Sequence, residues 1–297
     1  MTRSHCQWAA GSAPGVGVAG YLLSGGLGPL PRIYGFSADQ VQAVEVVTPA
    51  DGRLTVTAES DPDLFWARGG GKGGFGVVTA VTIGFLSLTE VCGAGLYFGA
   101  ADVPPVLATY AEWSPALPDS TTASIALLRL PESGAVPEPI RGQVVAHVRV
   151  ASVNMPADTE RQLAAIRAVG SPLLDTVCRL PTSASARSIE IRTLGGAVAR
   201  QAPVPNAVGG RLAAHNLSVY AASDPALSDA ERLAAVRSVL GSVARSHAPV
   251  ELINFVGRAN DADAVLRSWS PGQSNRLDTI RSQHDPAGML PFGRHET

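Results

Sequence analysis

The sequence predicts an α+β fold in two parts, and three observations carry that prediction. Between residues 40 and 57, β-branched runs flank Asp51-Gly52, a dipeptide favoured in hairpin turns. From residue 91 on, strand-like runs alternate with amphipathic helical stretches without a strict βαβ rhythm, which predicts an antiparallel sheet backed by helices on one side. Two glycine-rich segments, residues 11–28 and 69–76, precede that sheet and mark places where backbone approaches backbone or ligand.

Taken in order, residues 1–10 show no periodicity. Residues 11–28, GSAPGVGVAGYLLSGGLG, interleave seven glycines with small apolar residues. Such a segment lines a ligand with backbone amides or makes a tight turn between buried elements, and the residues leave both open. Val44, Val46 and Val47 lead into the hairpin turn, and Leu54 and Val56 lead out. Phe65 and Trp66 read as core. The second glycine segment then delivers the chain into a strand over 77–83. Helices are expected over 106–113, 158–169 and 228–245, the last opened by a capping box of Ser228 and Glu231. Strands are expected over 124–130, 143–152, 189–194, 212–221 and 252–257, with short helices in the tail.

Composition narrows the function classes. The 297 residues carry a formal charge of −2, and Lys72 is the sole lysine, so no basic patch for nucleic acid or an anionic membrane is expected. Three dispersed cysteines (Cys6, Cys92, Cys178) show neither C-x-x-C nor metal spacing and fit a reduced, cytoplasmic setting. No signal peptide is read at the N-terminus, and no apolar run reaches the length of a membrane span. Serine-nucleophile elbows and HExxH zinc motifs are absent from the sequence.

A literal G-x-G-x-x-G occurs twice, at Gly15, Gly17, Gly20 and at Gly71, Gly73, Gly76. A dinucleotide fingerprint needs a strand before it and a helix after it. Pro14 precedes the first copy and a strand follows the second, so a nicotinamide reading is set aside. Gly73 stands where a P-loop needs Ser or Thr.

Candidate acid–base residues lie on the later strands. His147 shares a face with Val145 and Arg149 by alternation, either toward a ligand or on a covered strand face. His215 and Tyr220 fall on opposite faces of one strand. Glu190 and Arg192 share a face and are equally explained as a charge pair.

Three stretches, residues 11–28, EVVTPADGRLTVTAESDPDLFWARGGGKGGFGVVT and QHDPAGML, together resemble the FAD-linked oxidases of the vanillyl-alcohol-oxidase/PCMH-type fold, berberine-bridge-enzyme-like branch. The family run DLFWALRGGGGNFGVVT is matched by residues 63–79, with one residue missing before Arg68 and Gly74 in place of Asn. The resemblance implies a partial FAD-binding PCMH-type domain (1–90), a shortened substrate domain with an antiparallel sheet backed by helices (91–257), and a C-terminal return to the FAD domain (258–297). It implies FAD contacts at Gly11, Ser12, Gly17, Val18, Gly20, Gly25, Gly26, Gly28, Gly76, Val77 and Val78. The base is expected on the substrate sheet, among His147, His215 and Tyr220.

The chain also departs from the family pattern. The family's N-terminal flavin subdomain, with its histidine and pyrophosphate loop, has no counterpart here, and His5 takes neither role. Ala13 stands where bicovalent members carry cysteine, so a flavin is expected to be non-covalent. Residues 292–295 replace the family's closing asparagine. Two functions follow. One is an FAD-dependent oxidoreductase that oxidises a small organic substrate by hydride transfer. The other is a catalytically silent relative acting as a binding module, with a homo-oligomer through the surface left by the missing subdomain.

Overall fold

The computed structural model describes residues 6–7, 11, 15–88, 90–170, 172, 174–177, 187–220, 228–257 and 262–290. The chain divides into two compact units. The first takes residues 1–89, 197–212 and 248–297, and the second takes 90–196 and 213–247.

The first unit begins with β1 (Cys6–Gln7), α1 (Val18–Leu23), α2 (Pro31–Tyr34), β2 (Val41–Thr48), β3 (Gly52–Val56), α3 (Pro62–Arg68), β4 (Val77–Ile83) and β5 (Leu86–Ser87). Strands β3, β2 and β4 form an antiparallel sheet, and Thr48 pairs with Gly52 across the hairpin. Gly52 takes φ +72°, which is why glycine follows Asp51 there. Helix α3 starts where the Asp61 side chain accepts the Leu64 amide, with Pro62 in the first turn. It buries Leu64, Phe65, Trp66 and Ala67 against Val44, Val46 and Val56.

The second unit holds β6 (Cys92–Gly99), α4 (Val103–Trp113), β7 (Thr121–Arg129), β8 (Val144–Ser152), α5 (Pro156–Arg167), β9 (Leu174–Val177), β10 (Arg187–Thr193), β11 (His215–Tyr220) and α6 (Asp229–Ser242). Its sheet runs β11-β10-β7-β8-β6-β9, antiparallel throughout. Alternation sorts its faces. Leu96, Phe98, Ile125, Ala146 and Val148 pack against Val106 and Tyr110 of α4 and Leu163 and Ile166 of α5. The chain then returns to the first unit with α7 (Ala262–Leu266) and α8 (Pro271–His284), whose Leu277 and Ile280 join the first core.

Some expectations change. Residues 252–257 form no strand: Ile253–Phe255 is a 3-10 turn, and its Asn254 side chain accepts the Gly26 amide at 2.8 Å. The first unit reclaims 197–212 and resumes at 248, where the sequence reading kept both stretches in the substrate domain until 257. Of the apolar face expected on α6, only Val236 is buried. Strand β6 went unforeseen because Gly93, Gly95 and Gly99 dilute its strand composition.

The long glycine loop is a packing knot. Gly70 and Lys72 both donate their amides to the Leu23 carbonyl at 3.0 Å, and Ala207 donates to the Gly69 carbonyl at 2.7 Å. The Trp269 indole donates to the Gly70 carbonyl at 3.2 Å. A Cβ on Gly70, whose φ is +101°, would stand 2.5 Å from the Val208 amide nitrogen, and one on Gly71 would stand 2.3 Å from the Ala67 carbonyl oxygen. Gly70→Ala is therefore expected to lose roughly 2–3 kcal/mol or more of stability by denaturant unfolding. Gly20→Ala, whose Cβ in α1 would meet no atom of the described residues within 4 Å, is expected to gain about 0.5–1 kcal/mol.

Candidate functional site

Two surfaces carry the chemistry, one in each unit. In the first unit, at the N-terminal end of α1, a Cβ on Gly15, Gly17 or Gly20 would meet no atom of the described residues within 4 Å. Val16 and Val18 beside them are 48% and 45% exposed. Helix α1 lies against β4, whose Val77 is 60% exposed while Val78 turns into the core. The first-turn amides of a helix have no intrahelical acceptor. Among the described residues this surface is built from glycines and exposed valines.

The other implied cofactor residues fall elsewhere. Gly25 and Gly26 are buried, and their amides already donate, to the Leu22 carbonyl at 2.9 Å and to Asn254. Their positive φ and the nearby Val208 and Tyr21 side chains explain the glycines by packing. Gly76, at φ +128°, would put a Cβ 2.6 Å from the Val47 carbonyl oxygen. Gly28 is buried, and Gly11 sits against the Tyr21 ring. Ser12, like His5, Ala13 and residues 292–295, lies outside the described residues.

In the second unit, the sheet face opposite α4 and α5 is mixed: Leu128 and Val145 pack with Leu130, Val136 and Ile140, and polar side chains gather beside them. Register places Tyr97, His147, Ala126, Glu190 and Ser218 in one row and Gly95, Arg149, Ser124, Arg192 and Asn216 in the next. Glu190 bridges Arg192 on its own strand at 2.9 Å and Arg149, which reaches over β7, at 2.7 Å. Burial alone would raise the Glu190 carboxyl, but the two guanidinium groups outweigh it and hold it below its ordinary value. His147 is 7% exposed and stacks on Tyr97 with ring centres 3.8 Å apart. Burial first, and the Arg149 charge second, push the imidazole down to about 3. It is therefore neutral at pH 7, with a buried Nε2 that has no hydrogen-bond partner among the described residues, and is poorly matched to a general base.

Tyr220 lies on the same face and is 50% exposed. His215 points the other way, with Leu217 and Val219, toward the helix side. Sequence reading missed Tyr97, Ser124, Asn216 and Ser218. The alternation of Gly93, Gly95 and Tyr97 against Ala94, Leu96 and Phe98 held the signal for Tyr97.

No protein-family model matches the chain. The solved structure of wild-type Physcomitrella patens BBE-like 1 superposes with a TM-score of 0.74 at 15% identity, over 97% of this chain and 72% of that one. The chain has the BBE-like fold. Within this fold, aclacinomycin oxidoreductase also superposes, with a TM-score of 0.69 at 20% identity over 96% of this chain and 75% of that one. By sequence, an uncharacterized FAD-linked oxidoreductase of Bacillus subtilis, YgaK, is 35% identical over 121 residues, 39% of this chain and 27% of the relative. Aclacinomycin-N/aclacinomycin-A oxidase of Streptomyces galilaeus is 50% identical over 78 residues, 24% of this chain and 14% of the relative. The chain thus matches well under two thirds of each of these curated relatives. Among the described residues, no helix is long and apolar enough to cross a membrane.

The depressed His147 fixes a pH dependence. A histidine that is neutral in the fold and basic when unfolded contributes stability above its unfolded value of 6.5, which is lost as pH falls toward about 3. Thermal midpoints of the wild type should fall between pH 6.5 and 5, and His147→Phe, which keeps the stacked ring, should reduce that slope and leave the part due to His215, which burial also lowers. Keeping above pH 5 avoids the Glu190 carboxyl, whose contribution is lost only below its ordinary 4.5.

Proposed function

We propose that this chain works as an FAD-linked oxidoreductase that oxidises a small organic substrate, with FAD held non-covalently. The observation that carries the reading is the open face at Gly15, Gly17 and Gly20 beside exposed Val16, Val18 and Val77, within a chain whose fold and relatives are those of FAD-linked oxidases. The face fits a planar apolar ring. Segment 15–20 itself carries no Lys or Arg to meet a diphosphate. When bound, FAD supplies a hydride acceptor.

The chain's own residues do the rest. Gly17 and Gly20 allow the ring to meet backbone, and Val16, Val18 and Val77 keep water from its face. In the substrate domain, Arg149 and Arg192 around Glu190 orient polar substrate groups, and His147 offers a neutral Nε2 as a hydrogen-bonding atom. Tyr220, half exposed on that face, offers a hydroxyl that can hydrogen-bond a substrate polar group. The same reading keeps the cytoplasmic setting and the absence of a nucleic-acid partner. A second reading, a binding module without turnover that self-associates through its apolar face, draws on the missing cations at residues 15–20 and on exposed Phe85.

Incubation with FAD, desalting and a visible spectrum test the proposal. Retained flavin, reduced at least about tenfold in occupancy by Gly17→Leu with unchanged circular dichroism, is the expected result. A folded protein that emerges colourless would favour the binding module.

A further inference from the structure

Buried polar atoms without hydrogen-bond partners gather on one patch of the second unit. Among the described residues they include the Thr122 hydroxyl on β7, His147 Nε2 on β8, and Nε and Nη2 of Arg149, also on β8. Register sets Arg149 opposite Ser124 and His147 opposite Ala126, with Thr122 one row along, opposite Ala151. Cross-strand partners and next-but-one neighbours on a face lie within side-chain reach, so the three groups share one neighbourhood. Buried polar groups are normally paired, and a patch that holds several unpaired ones calls for a partner from outside.

Arg149 sets the chemistry of that partner. Its Nη2 lies 2.7 Å from Glu190 Oε1, but the same oxygen accepts Arg192 Nε at 3.2 Å and Arg192 Nη2 at 2.9 Å. One carboxylate thus serves two guanidinium groups, and the Nε–Nη2 edge of Arg149 makes no hydrogen bond among the described residues. That edge carries two parallel N–H groups, the arrangement that the two oxygens of a carboxylate meet. The Arg149 side chain is 38% exposed, which gives a ligand access to it. Beside it the row Gly93, Ala151, Thr122 carries no side chain larger than threonine. Among the described residues, a Cβ on Gly93 would meet only the Val150 carbonyl oxygen, 3.9 Å away. Space is therefore left next to the arginine fork. A monoanion suits the charge that Glu190 leaves over, whereas a dianion would set its second charge against Glu190.

We propose that this patch is a carboxylate-binding site, in which the Arg149 fork takes both oxygens of a small organic acid and Thr122 supplies a further hydroxyl. The inference rests on the reading of this face as the one that meets substrate, and it narrows that substrate to a carboxylic acid. His147, on the other side of Arg149 from Thr122, is neutral and adds no second cation, which keeps the site to a single negative charge.

The test uses the full chain without added FAD, so its outcome stands apart from that of the flavin reading. Sodium benzoate is titrated against sodium chloride at matched ionic strength. The thermal midpoint should rise saturably, by roughly 3 °C at tenfold excess over Kd, and the side-chain Nε–H resonance of Arg149 should shift along the same curve. Benzamide, which keeps the ring and drops the charge, and sodium sulfate should give neither response. Arg149→Lys keeps a cation without the fork and should bind benzoate at least about tenfold more weakly, while Thr122→Val should weaken it about threefold. No saturable response to benzoate, an equal response to benzamide or sulfate, or binding undiminished in Arg149→Lys would overturn the proposal. Should Arg149→Lys fail to fold, the Arg149 resonance of the wild type decides: a shift with benzoate supports the site, and a signal that stays in place refutes it. Flavin retention without a benzoate response would sink this inference alone, and benzoate binding by a chain that retains no flavin would sink only the cofactor reading.

Discussion

One carbonyl joins the two glycine segments. The Leu23 oxygen closes α1 and receives both the Gly70 and the Lys72 amides, so the loop that follows α3 hangs from the end of the first helix. Everything else in that loop follows from the attachment. Backbone that comes this close leaves no space for a Cβ at 69, 70, 71 or 76, and Lys72 is drawn into a left-handed conformation at φ +65°. Residues 206–208 and Trp269, far along the chain, then close over the loop with their own hydrogen bonds. Arg281 of α8 adds its guanidinium over the Phe75 ring, 4.7 Å from the centre. The return of the chain to the first unit is thereby fixed by the same glycines.

The clamp has a consequence for chemistry. The loop is filled by the protein's own contacts, whereas a Cβ at Gly15, Gly17 or Gly20 would meet no atom of the described residues within 4 Å. In the second unit the division of labour is between two faces of one sheet. Helices α4 and α5 cover the apolar face, while the other face gathers two arginines around one glutamate and a neutral histidine. With His147 uncharged, the described cluster of Arg149, Arg192 and Glu190 carries a net single positive charge.

Much of this was legible in the sequence. The hairpin at Asp51-Gly52, the strand after the glycine loop and the capping box of α6 each rest on local chemistry that tertiary contacts leave in place. The family motifs announced the fold. Glycine function was not legible, because a glycine that makes room for a ligand and one that makes room for Val208 look alike in a sequence. His147 was placed on its correct face by alternation, but its loss of basicity depends on burial and on Arg149, which only the packed sheet reveals.

The central claim is that the loop is a structural clamp and the α1 glycines are the ligand face. Residue-resolved hydrogen exchange on the folded chain, with and without FAD, tests it most directly. The account predicts that the Gly70 and Lys72 amides exchange as slowly as those of β2 in either condition, while the amides of Val18, Ala19 and Gly20 exchange fast alone and slow with FAD. Fast exchange at Gly70 and Lys72 in the free protein, with protection gained there on adding FAD, would contradict it.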